Sequence, residues 1–299
     1  MIIAGNGSGG IELNPDGSTY VFSDSTTVKD YFKNVTEIDG ITNLHIGSAK
    51  SLEKCFNRCE SLASLNLSHW NEEIRSITSL KAMFQSCYQL TELNFSGWDV
   101  SNVTDMAGLF NSCRGLKTIN VNGWNVQSLT TANSLFNTCA LTTIDLSGWS
   151  NATQIKNFTS MFKNCINLTT LRLPAQFVTS AATLLTTMFY GCLNLKDLDV
   201  SDWNVSNVTS MRGMFSNNSN YATSDCLLNP TGLEYWTLYQ GDDTDGLDLG
   251  WMFYGCNNIK TLDLSNWNVS KVTSFHHFLA HSSQLESIGN IANWNVSKC

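Results

Sequence analysis

Residues 188–209 read Met188-Phe189-Tyr190-Gly191-Cys192-Leu193-Asn194-Leu195-Lys196-Asp197-Leu198-Asp199-Val200-Ser201-Asp202-Trp203-Asn204-Val205-Ser206-Asn207-Val208-Thr209. The same order of residue types recurs along most of the chain, and such recurrence is the signature of a repeat architecture. A Phe followed three places on by a Cys occurs at Phe56/Cys59, Phe84/Cys87, Phe110/Cys113, Phe136/Cys139, Phe162/Cys165, Phe189/Cys192 and Phe253/Cys256. Phe215/Asn218 and Phe278/His281 are degenerate copies. Successive Phe positions lie 28, 26, 26, 26, 27, 26, 38 and 25 residues apart. An apolar triplet follows each Cys, as in Leu62/Leu65/Leu67, Leu116/Ile119/Val121 and Leu195/Leu198/Val200, and Ile41/Leu44/Ile46 is an earlier copy without the Phe–Cys half. A Trp comes next in most copies (Trp70, Trp98, Trp124, Trp149, Trp203, Trp267, Trp294), then a tract such as Asp99-Val100-Ser101-Asn102-Val103-Thr104.

Alternate side chains of a strand point the same way, so the last two positions of each Leu-x-x-Leu-x-Leu triplet share a face. One copy cannot bury that face alone, whereas stacked copies bury it continuously. The expected fold is therefore a repeat solenoid of leucine-rich-repeat-like coils of about 26 residues. Each coil is expected to hold a short parallel strand, a second extended segment at the Val-x-x-Val tract, and a short helix or 3-10 turn before the Cys. The abundance of Asn and Ser leaves an irregular turn open for the Val-x-x-Val tract. Residues 41–299 form the solenoid, and residues 1–40 are an N-terminal arm with a hairpin turn at Asn14-Pro15-Asp16-Gly17 that caps the first coil or attaches to a larger assembly. The long step between Phe215 and Phe253 marks an insertion at about 219–250.

The 299 residues carry a net charge of −8, and 42% are hydrophobic against 14% charged. That is ample apolar material for a core, which excludes wholesale disorder. The acidic balance argues against nucleic acid as a partner, since phosphate neutralisation needs clustered Lys and Arg. No apolar run reaches the length of a membrane span, so no membrane insertion is expected. The first residues, Met1 to Gly7, show neither a basic region nor an apolar one, so no signal peptide is read there.

Candidate chemistry is sparse. Gly5-Asn6-Gly7-Ser8-Gly9-Gly10 fits G-x-G-x-x-G but lacks the flanking strand and helix that a dinucleotide site needs. The in-register Cys59, Cys87, Cys113, Cys139, Cys165, Cys192 and Cys256 are expected to be a ladder of buried thiols. Neighbouring copies stand within disulfide distance, yet parallel inward side chains point the wrong way for bridging, and they do not converge as zinc ligands do. His276, His277 and His281 lie close in sequence and are weak metal candidates. Asp242, Asp243 and Asp245 hint at calcium without matching the EF-hand spacing. No nucleophile–base pair or glycosidase acid pair can be nominated, so no catalytic residue and no cofactor are expected. The outward strand positions Asn66, Asn94, Asn120, Asp145, Arg172, Asp199 and Asp263 form a polar ladder, either a solvated face or a docking surface. Tyr235, Trp236 and Tyr239 in the insertion either fill a local core or supply contact area to a partner.

The motif Met-Phe-x-x-Cys-x-x-Leu-x-x-Leu-x-Leu-Ser-x-Trp-x-Val-Ser-x-Val-Thr resembles the repeat of BspA-like leucine-rich surface proteins, which also occurs in mycoplasma-type surface lipoproteins. The resemblance covers roughly residues 40–299. It implies a surface-exposed, non-enzymatic interaction protein, often adhesive, with no catalytic residue. Proteins of that kind usually carry an export signal or a lipid anchor, and neither is read here. A phage virion protein released by lysis needs none. The expectation by elimination is thus a virion-exposed decoration or fibre-associated component at the virion surface, with capsid or tail proteins and a protein or glycan on a host surface as partners. The alternative is a bacterial cell-surface adhesin, and a remote one is a solenoid glycan hydrolase.

Overall fold

One coil of this repeat holds more apolar side chains than it can cover, and the coils before and after it do the covering. The computed structural model describes residues 11–12, 44–46, 49–217, 227–241 and 246–299. The glycine-rich start, the turn at 14–17, Asn218, Asp242, Asp243 and Asp245 lie outside the described residues. The strands are short: β1 (Ile11–Glu12), β2 (Leu44–His45), β3 (Ser64–Asn66), β4 (Glu92–Asn94), β5 (Thr143–Asp145), β6 (Thr170–Arg172), β7 (Asp197–Asp199), β8 (Asn229–Thr231), β9 (Leu247–Asp248) and β10 (Val272–Ser274). They pair in parallel as β1–β2, β3–β4, β5–β6, β7–β8 and β9–β10. In register, Leu65 faces Leu93, Ile144 faces Leu171 and Leu198 faces Pro230.

The Phe–Cys side of each coil is more regular than the strand side. There the backbone N–H groups alternate between two uses. Lys54, Phe56 and Arg58 donate to the carbonyls of Lys81, Met83 and Gln85 in the next coil, while Cys55, Asn57 and Cys59 donate to Leu52, Lys54 and Phe56 in their own. The second set closes a run of overlapping four-residue turns. The third residue of every other turn is left-handed, as type II turns demand: Arg58, Ser86, Ser112, Thr138 and Asn164 have φ of 55–64°, and Gly191 and Gly255 take the same place. The expectation of a short helix or 3-10 turn before the Cys is met by turns of 3-10 hydrogen-bond span and not by a helix. A helix spends its N–H groups internally, whereas here half of them hold the next coil.

The Val-x-x-Val tract is a turn and not a strand. Val103 donates to Val100 at 2.9 Å, and Val208 donates to Val205 at 3.0 Å. The extended contact comes just after it, as single-residue parallel bridges Ser51–Ser79–Asp105–Thr131–Asn157–Leu184–Ser210–Asp248. Inside the coils Phe56, Phe84, Phe110, Phe136, Phe162, Phe189, Phe215 and Phe253 form one stack, with ring centres 5.4–6.0 Å apart and planes within 20°. These rings belong to a single buried cluster running from Ile46 to Phe278.

Two registers differ from the sequence expectation. In the last coil Phe253 donates to the carbonyl of Phe278, and Gly255 to that of Ala280. This places Leu279 in the Phe position and Ser282, not His281, in the Cys position. The long coil is the second case. Its residues 229–231 pair with β7, and Trp236 stacks between Trp203 and Trp267 at 6.4 and 6.2 Å. The extra length is therefore split between segments on either side of an ordinary strand–Trp unit.

Leu198→Ala is expected to cost about 2–5 kcal/mol as a buried large-to-small change. Asp199→Ala should cost about 1 kcal/mol, the net worth of the hydrogen bond it accepts from the Ser201 N–H at 2.9 Å. Equal losses in urea unfolding would contradict this inward and outward assignment. Thr138 holds φ +58°, a conformation that costs a β-branched residue about 1–2 kcal/mol. Thr138→Gly should leave stability unchanged or raise it by up to about 1 kcal/mol, strain relief outweighing the added chain entropy. A clear loss in the same measurement would mean the left-handed turn is not strained.

Candidate recognition surface

The in-register cysteines are structural. Cys55, Cys59, Cys87, Cys113, Cys139, Cys165, Cys192 and Cys256 are buried and unbridged. From the second copy on, each ladder thiol donates to the Phe carbonyl of the coil before it. Cys87 reaches Phe56 O at 3.1 Å, Cys113 reaches Phe84 O at 3.1 Å, and Cys139, Cys165 and Cys192 reach Phe110, Phe136 and Phe162 O at 3.0 Å. Cys256 spans the long coil to Phe215 O at 3.2 Å, and Ser282 repeats the bond to Phe253 O at 2.7 Å. Burial disfavours the thiolate. It pushes Cys113 and Cys165 up to about 12 and holds Cys87 and Cys139 well above the ordinary 9.0.

The polar strand ladder is also partly spent on structure. The side-chain oxygens of Asn66, Asn94, Asp145, Asp199 and Asp263 accept the N–H of the Ser two places on at 2.9–3.1 Å, which closes each strand with an Asx turn. The Ser147 and Ser265 hydroxyls, and after them these N–H groups, hold the Asp145 and Asp263 carboxyls below the usual range. Arg172 pairs with Asp145 at 3.5 Å, an exposed ion pair of little stabilising value. Because the strands pair two by two, clefts open between pairs. One of about 500 Å³ brings Asn94 and Asn120 together beside Leu93 and Trp98. Another of about 530 Å³ brings Arg172 and Asp199 together with Asp197 and Asp202. Asp263 lines neither cleft.

Of the insertion aromatics, Tyr235 is 69% exposed. It ends a 3-10 turn at Leu233–Tyr235. Tyr239 is half-buried against the core. Trp236 is not a surface residue: it is 2% exposed, and its indole N–H donates to Val200 O at 2.8 Å. Trp98, Trp149 and Trp267 make the same bond to Leu67, Val121 and Leu233. Trp236 therefore occupies the repeat's own Trp position, and packing accounts for it. Among the described residues no group of three or more His, Cys, Asp or Glu side chains could hold a metal ion. Among them, too, no helix is long and apolar enough to cross a membrane. The sequence reading did not connect Trp251 and Tyr254 with the histidines; the two gather His276, His277 and His281 into one ring cluster. The signal for Trp251 was an aromatic residue at a repeat position that elsewhere holds small or polar ones, whereas Tyr254 shares its position with Tyr190.

The thiol shifts carry a pH consequence. An unfolded thiol ionises near 9.0, whereas a ladder thiol resists until about 12. The ladder's contribution is full below pH 9 and is lost as pH rises towards 12. Melting temperature should therefore fall over that window, and less steeply in Cys165→Ala. Thiol titration should find the eight buried cysteines unreactive in native protein and reactive once it is denatured without reductant. Disulfide-linked ladder peptides in mass spectrometry would overturn this.

Among the solved structures similar to this chain are three leucine-rich repeat proteins. A leucine-rich repeat protein from Bacteroides ovatus is 15% identical, with TM-score 0.43, over 81% of this chain and 60% of that one. The chain thus spans less than two thirds of that protein. The Treponema pallidum leucine-rich repeat protein is 20% identical, with TM-score 0.32, over 55% of this chain and 76% of that one. A leucine-rich cell surface protein from Faecalibacterium prausnitzii is 15% identical, with TM-score 0.28, over 86% of this chain and 77% of that one. No curated protein matches. Residues 50–173, 156–229 and 245–299 match one family, so the chain belongs to the family described as Mycoplasma protein of unknown function, DUF285.

Proposed function

We propose that this chain is a non-catalytic recognition protein displayed at a cell surface, with a protein or glycan as its partner. One observation carries the reading: among the described residues, the ladder thiols are spent on holding coil to coil and the strand-end carboxylates on closing turns within a coil. The ladder thiols are buried donors to Phe carbonyls, and Asp145, Asp199 and Asp263 close Asx turns. What is left is a long solvated face with shallow clefts, the kind of extended surface on which solenoids bind partners. The leucine-rich surface resemblance supports the same reading. Display on a phage virion rested on elimination alone, and no feature of the fold or its relatives adds to it, so the cell surface is preferred. Capsid and tail proteins are set aside with it. A glycan hydrolase would need a converging acid pair; of the acids in the Arg172 cleft, Asp199 closes an Asx turn and Asp202 accepts the Gln176 N–H.

An antibody against the folded chain should label intact cells of the source organism, and external protease should remove the label without lysis. Label that appears only after permeabilisation, or only in purified phage particles, would overturn cell-surface display.

A further inference from the structure

The two ends of the stack differ. At the start, β1 pairs with β2, and Ile46, Leu52, Phe56 and Trp70 are fully buried. At the other end the same repeat positions stand open. Leu264 is 0% exposed and Ile291, its counterpart in the last coil, is 36% exposed; Val269 is 1% exposed and Val296 is 49% exposed. Phe275 and Leu279 are half-buried, whereas Leu249 and Phe253 of the coil before are fully covered.

The open end also carries a row of unspent backbone donors. On the turn side the backbone bonds between coils run one way, from an N–H to a carbonyl of the following coil. Leu249, Trp251, Phe253 and Gly255 donate in this way to Ser274, His276, Phe278 and Ala280 at 2.7–3.0 Å. The matching N–H groups of Phe275, His277, Leu279 and His281 have no acceptor among the described residues. Peptide units aligned in this sense leave partial positive charge at their N–H end, as they do in a helix. Trp294 is out of step too. Trp267 donates its indole N–H to Leu233 O at 2.9 Å, whereas the Trp294 N–H is sheltered without a partner and its ring lies on Phe275 at 5.4 Å.

We infer that this end is a docking edge for a coil of the same repeat type carried by another protein, seated as one coil follows the next within the stack. The interface it completes is the one already repeated along the chain. Four N–H groups require carbonyls at alternate residues, and Phe275, Leu279 and Ile291 require apolar cover at the same spacing. A coil of this repeat offers both: the carbonyls of Asp105, Ala107, Leu109 and Asn111 accept the N–H groups of Leu80, Ala82, Phe84 and Ser86 at 2.7–3.0 Å. A second copy of this chain does not fit. Its start is closed, and end against end sets donors facing donors. Edge pairing draws affinity from main-chain bonds and specificity from the side chains between them, and the head-to-tail sense makes the interface heterologous.

The inference goes beyond the recognition face proposed above, because this surface is the end of the stack and not its side. The probe is a synthetic peptide of residues 104–126, one coil of this repeat, set against a shuffled peptide of the same composition. Binding to the purified chain is read by fluorescence anisotropy and by amide hydrogen exchange. Saturable binding of the ordered peptide alone is expected, with new protection at the His277, Leu279 and His281 amides. Ile291→Asp places a charge on the dock and should weaken binding at least about tenfold with an unchanged melting temperature. Val296→Asp, at a more exposed position, should weaken it too. Absence of saturable binding, equal binding of the shuffled peptide, full binding by both variants, or protection confined to other amides would overturn the inference. Dimers of the chain alone that Ile291→Asp dissociates would overturn it as well, since a second copy would then be the occupant. Cell-surface labelling is unaffected by any of these results, so the two readings fail separately.

Discussion

The structure depends on how the Phe carbonyl is shared between coils. A backbone carbonyl has two acceptor sites. Phe84 O accepts the Cys87 N–H at 3.2 Å within its own turn and the Cys113 thiol at 3.1 Å from the next coil. The residue three places after the Phe must therefore be small, buried and able to donate. Cysteine meets all three needs, and the half-buried Ser282 supplies the small donor in the last coil. The shared carbonyl sets the Phe rings at one height per coil, and the stack of rings follows. Because the next N–H groups along the chain alternate between their own turn and the neighbouring coil, neither the turn nor the stack forms without the other.

That coupling explains the residue choices elsewhere in the repeat. A coil that turns this tightly must close its remaining backbone groups locally, and Asn, Asp and Ser do so at fixed places. Asp145, Asp199 and Asp263 end strands, Asp99 and Asn204 turn the chain after the Trp, and Asp105 and Asp248 turn it after the bridge residue. The acidic character of the chain is thus partly a by-product of Asx turns rather than a sign of a cationic partner.

The coil order, the inward Leu and Phe positions and the unbridged thiols were legible because each repeats, and repetition separates core from surface without knowledge of the fold. The run before the Cys was legible only as either a short helix or a 3-10 turn. Apolar spacing near three also suits overlapping turns, and spacing does not reveal that every other N–H leaves the coil. Phe278/His281 looked like a degenerate copy because an aromatic and an imidazole stand at familiar intervals. The hydrogen bonds place Leu279 and Ser282 there instead. Trp236 looked like part of an insertion because the loops on either side of it shift its distance from Phe215. Only the Trp203–Trp236–Trp267 stack reveals its place.

The long coil shows why the stack survives irregular length. Pro230 stands where Leu198 and Leu262 stand in other coils. Leu262 donates its N–H forward to Ser287 at 2.9 Å, and proline has no N–H to give. The strand side is therefore broken between β8 and the following coil, consistent with the rule that proline marks an edge. The opposite side is unbroken there: Phe215 stacks on Phe253 at 5.5 Å, and Cys256 still reaches Phe215 O. Trp236 bridges the gap on the strand side by stacking on both neighbours. The Phe–Cys side thus carries the continuity of the solenoid, which frees the strand side to open into clefts and to accept extra loops. It follows that strand-side loops can change with little effect on the stack.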